Sequence, residues 1–243
     1  MKTKDIPTRV MKAVARGRLI VTIDGPAGAG KSTVARALAR RLGFAFVDTG
    51  ALYRTVGLAA RKAGVAYDDG PGLKALLPKI IIEIRPGAES QIILLDGADI
   101  TEEIRTPEAS MAASKVSAVP EVRAGLLELQ RRLALAGEGR AVLEGRDTGS
   151  VVFPDAEVKF YMDASPEIRA RRRHDELRAK GRAVDYDRVL AETIERDRND
   201  STRAVAPLTC PDGAVRVDTG ATGADEVAAV MERKVRERMG GAR

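Results

Sequence analysis

The chain contains no tryptophan, and aromatic residues make up 3% of its 243 positions. Hydrophobic residues still reach 44%, enough for a sizeable core, so that core must be aliphatic. The same scarcity leaves few rings on which single-stranded bases could stack, which argues against a nucleic-acid partner. Cysteine occurs once, at Cys210, so an internal disulfide is excluded. Histidine also occurs once, at His174, far from Cys210 in sequence. Cys210 therefore reads as a packed or idle thiol rather than a nucleophile, and no His/Cys cluster has metal-ligand spacing. No run reaches the roughly 18 consecutive apolar residues of a membrane span. The N-terminal stretch lacks the apolar segment of a secretory signal. A soluble, cytoplasmic protein is expected.

Positive charge is in excess. There are 41 Lys and Arg against 35 Asp and Glu, a net charge of +6, with a sequence pI of about 9.6. That balance suits an anionic partner, a nucleotide or a nucleic acid. Lys2, Lys4, Arg9, Lys12 and Arg16 concentrate basic charge at the N-terminus. Residues 1–17 are expected to form a disordered basic leader, or to follow a start codon placed too early, with Met11 a candidate. Residues 18–243 suit one domain carrying one or two insertions.

One stretch carries the strongest signal. Gly25-Pro26-Ala27-Gly28-Ala29-Gly30-Lys31-Ser32 fits G-x-x-x-x-G-K-[ST] at every fixed position. Leu19 to Ile23 before it reads as a buried strand, and Thr33 to Arg41 after it as a helix. Glycines let a backbone wrap closely and turn its N–H groups inward. The helix N-terminus adds partial positive charge beneath an anion. Lys31 can reach the β- and γ-phosphates of a nucleoside triphosphate, and the Ser32 hydroxyl can hold Mg²⁺.

Strand-like and helix-like segments then alternate, which predicts an α/β fold with a parallel sheet. Phe44–Val47, Arg140–Glu144, Val158–Met162 and Ala214–Val217 read as further strands. Helices are expected over about 35–42, 51–63, 104–117, 121–136, 165 to about 182, 187–198 and 225–238. Lys79–Arg85 and Gln91–Asp96 flank Pro86–Ser90 and read as a hairpin inserted in the α/β chain.

Ligands of open α/β sheets sit beyond the carboxyl ends of the strands. The turns at Asp24–Lys31, Asp48–Arg54 and Gly145–Asp147 lie at such ends and can share one crevice. Arg146 follows a strand directly, while Arg196, Arg198 and Arg203 cluster at the end of a helix and in the polar stretch beyond it. The planar fork of arginine matches phosphate oxygens, and phosphoryl transfer needs mainly positioning and charge neutralisation. The basic run Arg169–Arg182 reads equally as functional or as a solvated helix face. Asp24, Asp147 or Glu144 could meet Mg²⁺ through water, although Mg²⁺ takes few protein ligands.

These segments together resemble the bacterial cytidylate kinases. The likeness rests on Ile23–Ser32, Asp48-Thr49-Gly50-Ala51-Leu52-Tyr53-Arg54, Gly145-Arg146-Asp147-Thr148-Gly149-Ser150-Val151-Val152-Phe153-Pro154-Asp155-Ala156 and Arg203-Ala204-Val205-Ala206-Pro207-Leu208, and it covers roughly Arg18 to Arg238. It implies a three-layer P-loop fold with a central parallel sheet, an NMP-binding insertion over about 54–125 and a short lid over about 169–203. It also implies an ATP-binding set of Gly25, Pro26, Ala27, Gly28, Ala29, Gly30, Lys31, Ser32 and Thr33. Thr49, Tyr53 and Arg54 would line the CMP site, Ser114, Arg123 and Asp147 would meet the cytosine, and Arg146, Arg196 and Arg203 would face phosphate. Asp200 would grip the ribose. The implied activity is ATP-dependent phosphorylation of CMP or dCMP with Mg²⁺, by a monomer. Two other readings of the residues stay open: a P-loop kinase for another small acceptor, and a basic nucleic-acid-binding NTPase regulated by ATP.

Overall fold

In the computed structural model, which describes residues 18–85, 91–136 and 138–240, the chain runs β1 (Leu19–Asp24), α1 (Lys31–Leu42), β2 (Ala45–Asp48), α2 (Thr49–Ala63), α3 (Gly70–Leu76), β3 (Ile82–Arg85), β4 (Ile92–Leu95), β5 (Ala98–Asp99), α4 (Pro107–Ser117), α5 (Pro120–Leu135), β6 (Arg140–Gly145), β7 (Val158–Asp163), α6 (Pro166–Ala179), α7 (Tyr186–Thr202), β8 (Val215–Asp218) and α8 (Ala224–Gly240). The basic leader and the turn Pro86–Ser90 lie outside the described residues.

β1 is almost wholly apolar because it is buried on both faces, as a central parallel strand must be. It pairs in parallel with β6 on one side and β7 on the other, in a sheet ordered β2-β6-β1-β7-β8. Val21 and Ile23 point to one face, where Val34 and Leu38 of α1 and Val227 and Met231 of α8 cover them. Ile20 points to the other face, against Val47, Ala134 of α5, Val152 and Phe153. Helices on both faces give the expected three layers. Leu, Ile and Val fill the core, with Phe160 the largest of its fully buried side chains.

A smaller antiparallel sheet, β3-β4-β5, packs Ile93 and Leu95 against Ala51 and Leu58 of α2. Helices α2 to α5 share a second aliphatic cluster that includes Leu52, Val56, Leu73, Val116, Val122 and Leu126. Helices α6 and α7 lie against each other around Ala170, Leu177 and Val189.

Three elements differ from expectation. The hairpin pairs Ile82 with Leu95 as its spacing predicted, but β5 adds a third strand. Helix α3 was not foreseen, because Gly-Pro-Gly reads as a turn. It forms because Asp69 caps it by accepting from the Gly72 N–H at 3.0 Å, while Pro71 sits in its first turn. Helix α7 runs to Thr202 instead of stopping near Arg198. The hydroxyls of Ser201 and Thr202 donate back to the carbonyls of Asp197 and Arg198, at 2.7 and 2.8 Å, so polar residues that suggested a loop extend the helix. Asp200 therefore stands on a helix, and Arg203 follows its last turn.

All five strands of the main sheet are parallel, so Asp24, Asp48, Gly145 and Asp163 end along one edge. At that edge Gly25 has φ 148°, and any Cβ there would collide with the carbonyl oxygen of Met162 on β7. Gly25→Ala is expected to cost about 2–3 kcal/mol in a urea melt. A cost below about 0.5 kcal/mol, the level of a neutral surface change, would contradict this packing.

Candidate active site

Three carbonyls of the glycine-rich loop are held by side chains of the protein. Pro26 O accepts from Lys31 Nζ at 2.6 Å, Ala27 O from Arg169 Nη1 at 3.0 Å, and Ala29 O from the Thr219 hydroxyl at 3.0 Å. Carbonyls tied back to the protein suit a loop whose N–H groups must serve an anion. Lys31 opens α1 and is buried. Burial first, then the nearby charge of Arg146, lowers its pKa to about 7. The carboxyl of the buried Glu144 is pushed upward by burial and by Asp48, while Lys31 and the nearby Ser32 hydroxyl act in the opposite direction. Thr33 is exposed on the next position of α1.

Arg146 and Arg196 lie close enough to Lys31 to lower its pKa, and Arg54 acts in turn on Arg196 and Glu144. Arg146 follows β6, and its Nε donates to Asp200 Oδ2 on α7 at 2.8 Å. Arg54 on α2 donates through Nη2 to Asp48 Oδ2 at 2.7 Å, while the other oxygen of Asp48 caps α2. Arg196 on α7 is lowered to about 10, by burial and then by Arg146, with Arg54 and Arg173 adding to it. For Arg146 the balance is reversed: burial pulls its pKa down, but Asp200 outweighs burial and raises it. Asp200 in turn is lowered, since Arg146 and Arg196 outweigh its burial. The Nε atoms of Arg54 and Arg196 are buried and meet no acceptor of the protein. Like charges with orphaned donors, gathered at low dielectric, form a site whose missing partner is an anion.

A second group lies on the other side of Arg146. Asp147 forms a buried ion pair with Arg123 of α5, whose guanidinium also lies 5.5 Å from the ring of Tyr53 and donates to Ser117 O at 3.0 Å. Tyr53 is buried, and burial raises its pKa. Arg203 stands between carboxylates, 3.9 Å from both Asp147 Oδ1 and Asp200 Oδ1, and its buried Nη2 has no hydrogen-bond acceptor. Arg123, Asp147, Arg203, Asp200 and Arg146 thus alternate in sign along one line. Thr49 sits below this line, its hydroxyl donating to Glu144 O at 2.7 Å. Ser114 lies half-buried on α4, where its carbonyl accepts from Ser117.

The expectation that Asp24 could meet Mg²⁺ through water needs correction. Its carboxylate is fully buried and accepts from the Thr148 N–H, the Thr148 hydroxyl and the Gly149 N–H at 2.7–2.8 Å. It ties the end of β1 to a π-helical turn, Thr148–Val152, that follows Asp147. The basic run 169–182 also divides. Arg169 is buried at the loop, Arg173 is close enough to Arg196 to perturb it, and Arg178 and Arg182 are exposed. Asp48, Arg169 and Arg173 lie by these groups, although in sequence Asp48 reads only as the start of a turn and the two arginines only as members of a basic run. Asp48 has the position of an ordinary helix cap, and the two arginines are hidden among neighbours of the same type.

Comparison with known proteins agrees with this geometry. The family model "Cytidylate kinase" matches residues 21–237. A cytidylate kinase of Carboxydothermus hydrogenoformans is 51% identical over 211 residues, covering 87% of this chain and 94% of that protein. Those of Geobacter sp. strain M21 and Mycobacterium leprae are 45% and 48% identical, covering 94% and 91% of this chain and 97% of each relative.

Replacing Asp24 by Asn turns an amide toward N–H donors that need an acceptor. Asp24→Asn is expected to lose about 2–3 kcal/mol of stability in urea denaturation. A change under about 0.5 kcal/mol would show that these three bonds do not hold the turn.

Proposed function

The chain belongs to the cytidylate kinase family, and we propose that it transfers the γ-phosphoryl group of ATP to the phosphate of CMP or dCMP, yielding ADP and CDP or dCDP. The observation that carries this reading is the cluster of buried Lys31 with the half-buried Arg54, Arg146 and Arg196, in which the buried Nε atoms of Arg54 and Arg196 lack protein acceptors, beside the glycine-rich loop. Two phosphorylated molecules meeting there would supply the missing negative charge.

The loop from Gly25 to Thr33 holds the donor phosphates, with Lys31 on their oxygens. Arg54, Arg146 and Arg196 hold the acceptor phosphate. An oxygen of that phosphate attacks the γ-phosphorus as the bond to the β–γ bridging oxygen breaks. The attacking oxygen is already ionised, so no strong general base is required. The arginines neutralise charge that would otherwise oppose the approach of two anions.

Ser32 and Glu144 fit Mg²⁺, a hard cation that takes oxygen ligands, because a hydroxyl and a buried carboxylate lie together at the head of α1. When bound, Mg²⁺ neutralises β- and γ-phosphate charge. Glu144 then orients the Ser32 hydroxyl.

Asp147 and Arg123 read the base. Cytosine presents an amine donor beside a ring-nitrogen and a carbonyl acceptor. Asp147 accepts from the amine and Arg123 donates to the acceptors, so each must loosen the pair it makes with the other. Uracil places a carbonyl where the amine was and leaves a buried carboxylate facing an acceptor. Tyr53 and Thr49 line this pocket, Ser114 borders it, and Asp200 and Arg203 grip the sugar and its phosphate side. Residues 54–125 form the NMP-binding insertion, and residues 169–203 form a lid that closes over ATP and excludes water. The enzyme works in the cytoplasm as a monomer, with room for that closing movement and with no nucleic-acid or membrane partner.

With ATP, CMP or dCMP should outpace UMP, AMP and GMP in a coupled assay. Asp147→Ala should reduce CMP preference over UMP by about tenfold or more while leaving the KM for ATP within about threefold. Equal loss on both acceptors would overturn base reading by Asp147. Faster turnover of a non-nucleotide acceptor would favour a different kinase, and turnover stimulated by RNA or DNA would favour a nucleic-acid-dependent NTPase.

Lys31 adds a pH signature. Its pKa near about 7 in the free protein must rise when phosphate lies beside the ammonium. At about pH 8 the free amine is then largely neutral, and ATP binding takes up close to one proton. At about pH 6 it is already charged, and uptake vanishes. Titration calorimetry in buffers of different ionisation enthalpy measures this, and Lys31→Met should abolish both the uptake and phosphoryl transfer. No uptake at the higher pH in the unmodified enzyme would contradict the assignment.

A further inference from the structure

Arg169 enters above only as a donor to Ala27 O and as the first residue of the lid segment, yet its guanidinium makes four hydrogen bonds. It sits in the first turn of α6 and is 3% exposed. Its Nε donates at 2.8 Å to the carbonyl of Ala164, the residue before the Ser165 cap of the helix. Its Nη1 donates both to Ala27 O in the glycine-rich loop, at 3.0 Å, and to Asp197 Oδ1 on α7, at 2.9 Å. Its Nη2 donates to Asp197 Oδ2 at 2.5 Å. One guanidinium therefore bridges three segments, and the contact with Asp197 is bidentate, the geometry that fixes orientation as well as distance.

The backbone leaves room for this contact. Gly28 has φ 78°, and a Cβ there would lie 3.1 Å from Arg169 Cβ and 3.3 Å from Arg169 O. The start of α6 can thus press directly on the loop. On the other side, Asp197 is the neighbour of Arg196 in α7 and lies one helical turn before Asp200. Arg196 and Asp200, four residues apart, share a helix face. Any movement of the loop at Ala27 pulls on Arg169, and Arg169 holds the stretch of α7 that carries both groups.

We propose that Arg169 and Asp197 form a joint through which occupation of the glycine-rich loop sets the position of Arg196 and Asp200, so that the donor nucleotide tightens the acceptor site. Arg169 is a positioning residue that touches neither phosphate. The proposal rests on the reading of Arg196 as an acceptor-phosphate arginine.

The test is thermodynamic coupling between the two substrates in the full chain. CMP affinity is measured by calorimetry with and without a saturating non-hydrolysable ATP analogue and Mg²⁺. The unmodified enzyme should bind CMP about fivefold tighter or more with the analogue present. Arg169→Lys keeps the charge but loses the fork, and Asp197→Asn keeps the shape but loses the ion pair. Each should bring the affinity ratio to about one, and the double variant should do no more than either single variant, as expected for one shared interaction. Asp197 is a quarter exposed, so its variant should keep the fold, checked by circular dichroism. A purely structural role would lower stability without removing the ratio. A ratio of one in the unmodified enzyme, or an intact ratio in both variants, overturns the joint. Arg196→Ala separates the two levels. If it leaves CMP affinity unchanged, the reading beneath the proposal fails; if it weakens CMP binding while Arg169→Lys keeps the ratio, the joint alone fails.

Discussion

Like charges are buried together at the carboxyl edge of a parallel sheet, and the surrounding structure is organised to make that tolerable. Burial first, and then the charge of Arg146, lowers the proton affinity of both Lys31 and Arg196. Unanswered charge in a low-dielectric site is costly. Carboxylates from four separate elements answer it: Asp48 from β2, Glu144 from β6, Asp24 from β1 and Asp200 from α7. The answer is incomplete, since buried nitrogens of Arg54, Arg196 and Arg203 still lack acceptors. Such preorganised positive charge suits the proposed phosphoryl transfer, which depends on charge neutralisation more than on covalent chemistry.

Charge also alternates between the two halves of the cleft. Arg123, Asp147, Arg203, Asp200 and Arg146 lead from the aromatic face of Tyr53 to the cations around Lys31. Each carboxylate in that line has a cation on either side. A base that engages Asp147 must therefore alter the balance felt by Arg203, and through it the pairing of Asp200 with Arg146. On the reading proposed above, recognition of the base and orientation of the acceptor phosphate would share this one chain of ion pairs.

The glycine-rich loop, the strand before it and the helix after it were legible in the sequence, because their chemistry is local. So were the inner strands of the main sheet, for a buried parallel strand needs a continuous apolar run whatever its neighbours, whereas the short exposed β5 was not. Boundaries set by side chains bonding to nearby backbone were less legible. Ser201 and Thr202 look like residues of a loop, yet their hydroxyls extend α7 and carry Asp200 onto the helix. Gly70-Pro71-Gly72 looks like a turn, yet Asp69 caps it into a helix. Asp24 shows the same limit at longer range, since its fully buried carboxylate serves the backbone of residues 148 and 149 and the Thr148 hydroxyl.

Composition and motif by themselves determined an aliphatic α/β core, a loop built for phosphate and a surplus of arginine suited to anions. Which arginines matter was a tertiary decision. Arg169, Arg173, Arg178 and Arg182 are alike in sequence, but one is locked between the loop and Asp197, one faces Arg196 and two are exposed. The reason is physical. A guanidinium acquires its role from the carboxylates and carbonyls that packing brings within 3 Å, and here those partners lie as far as 142 residues away along the chain.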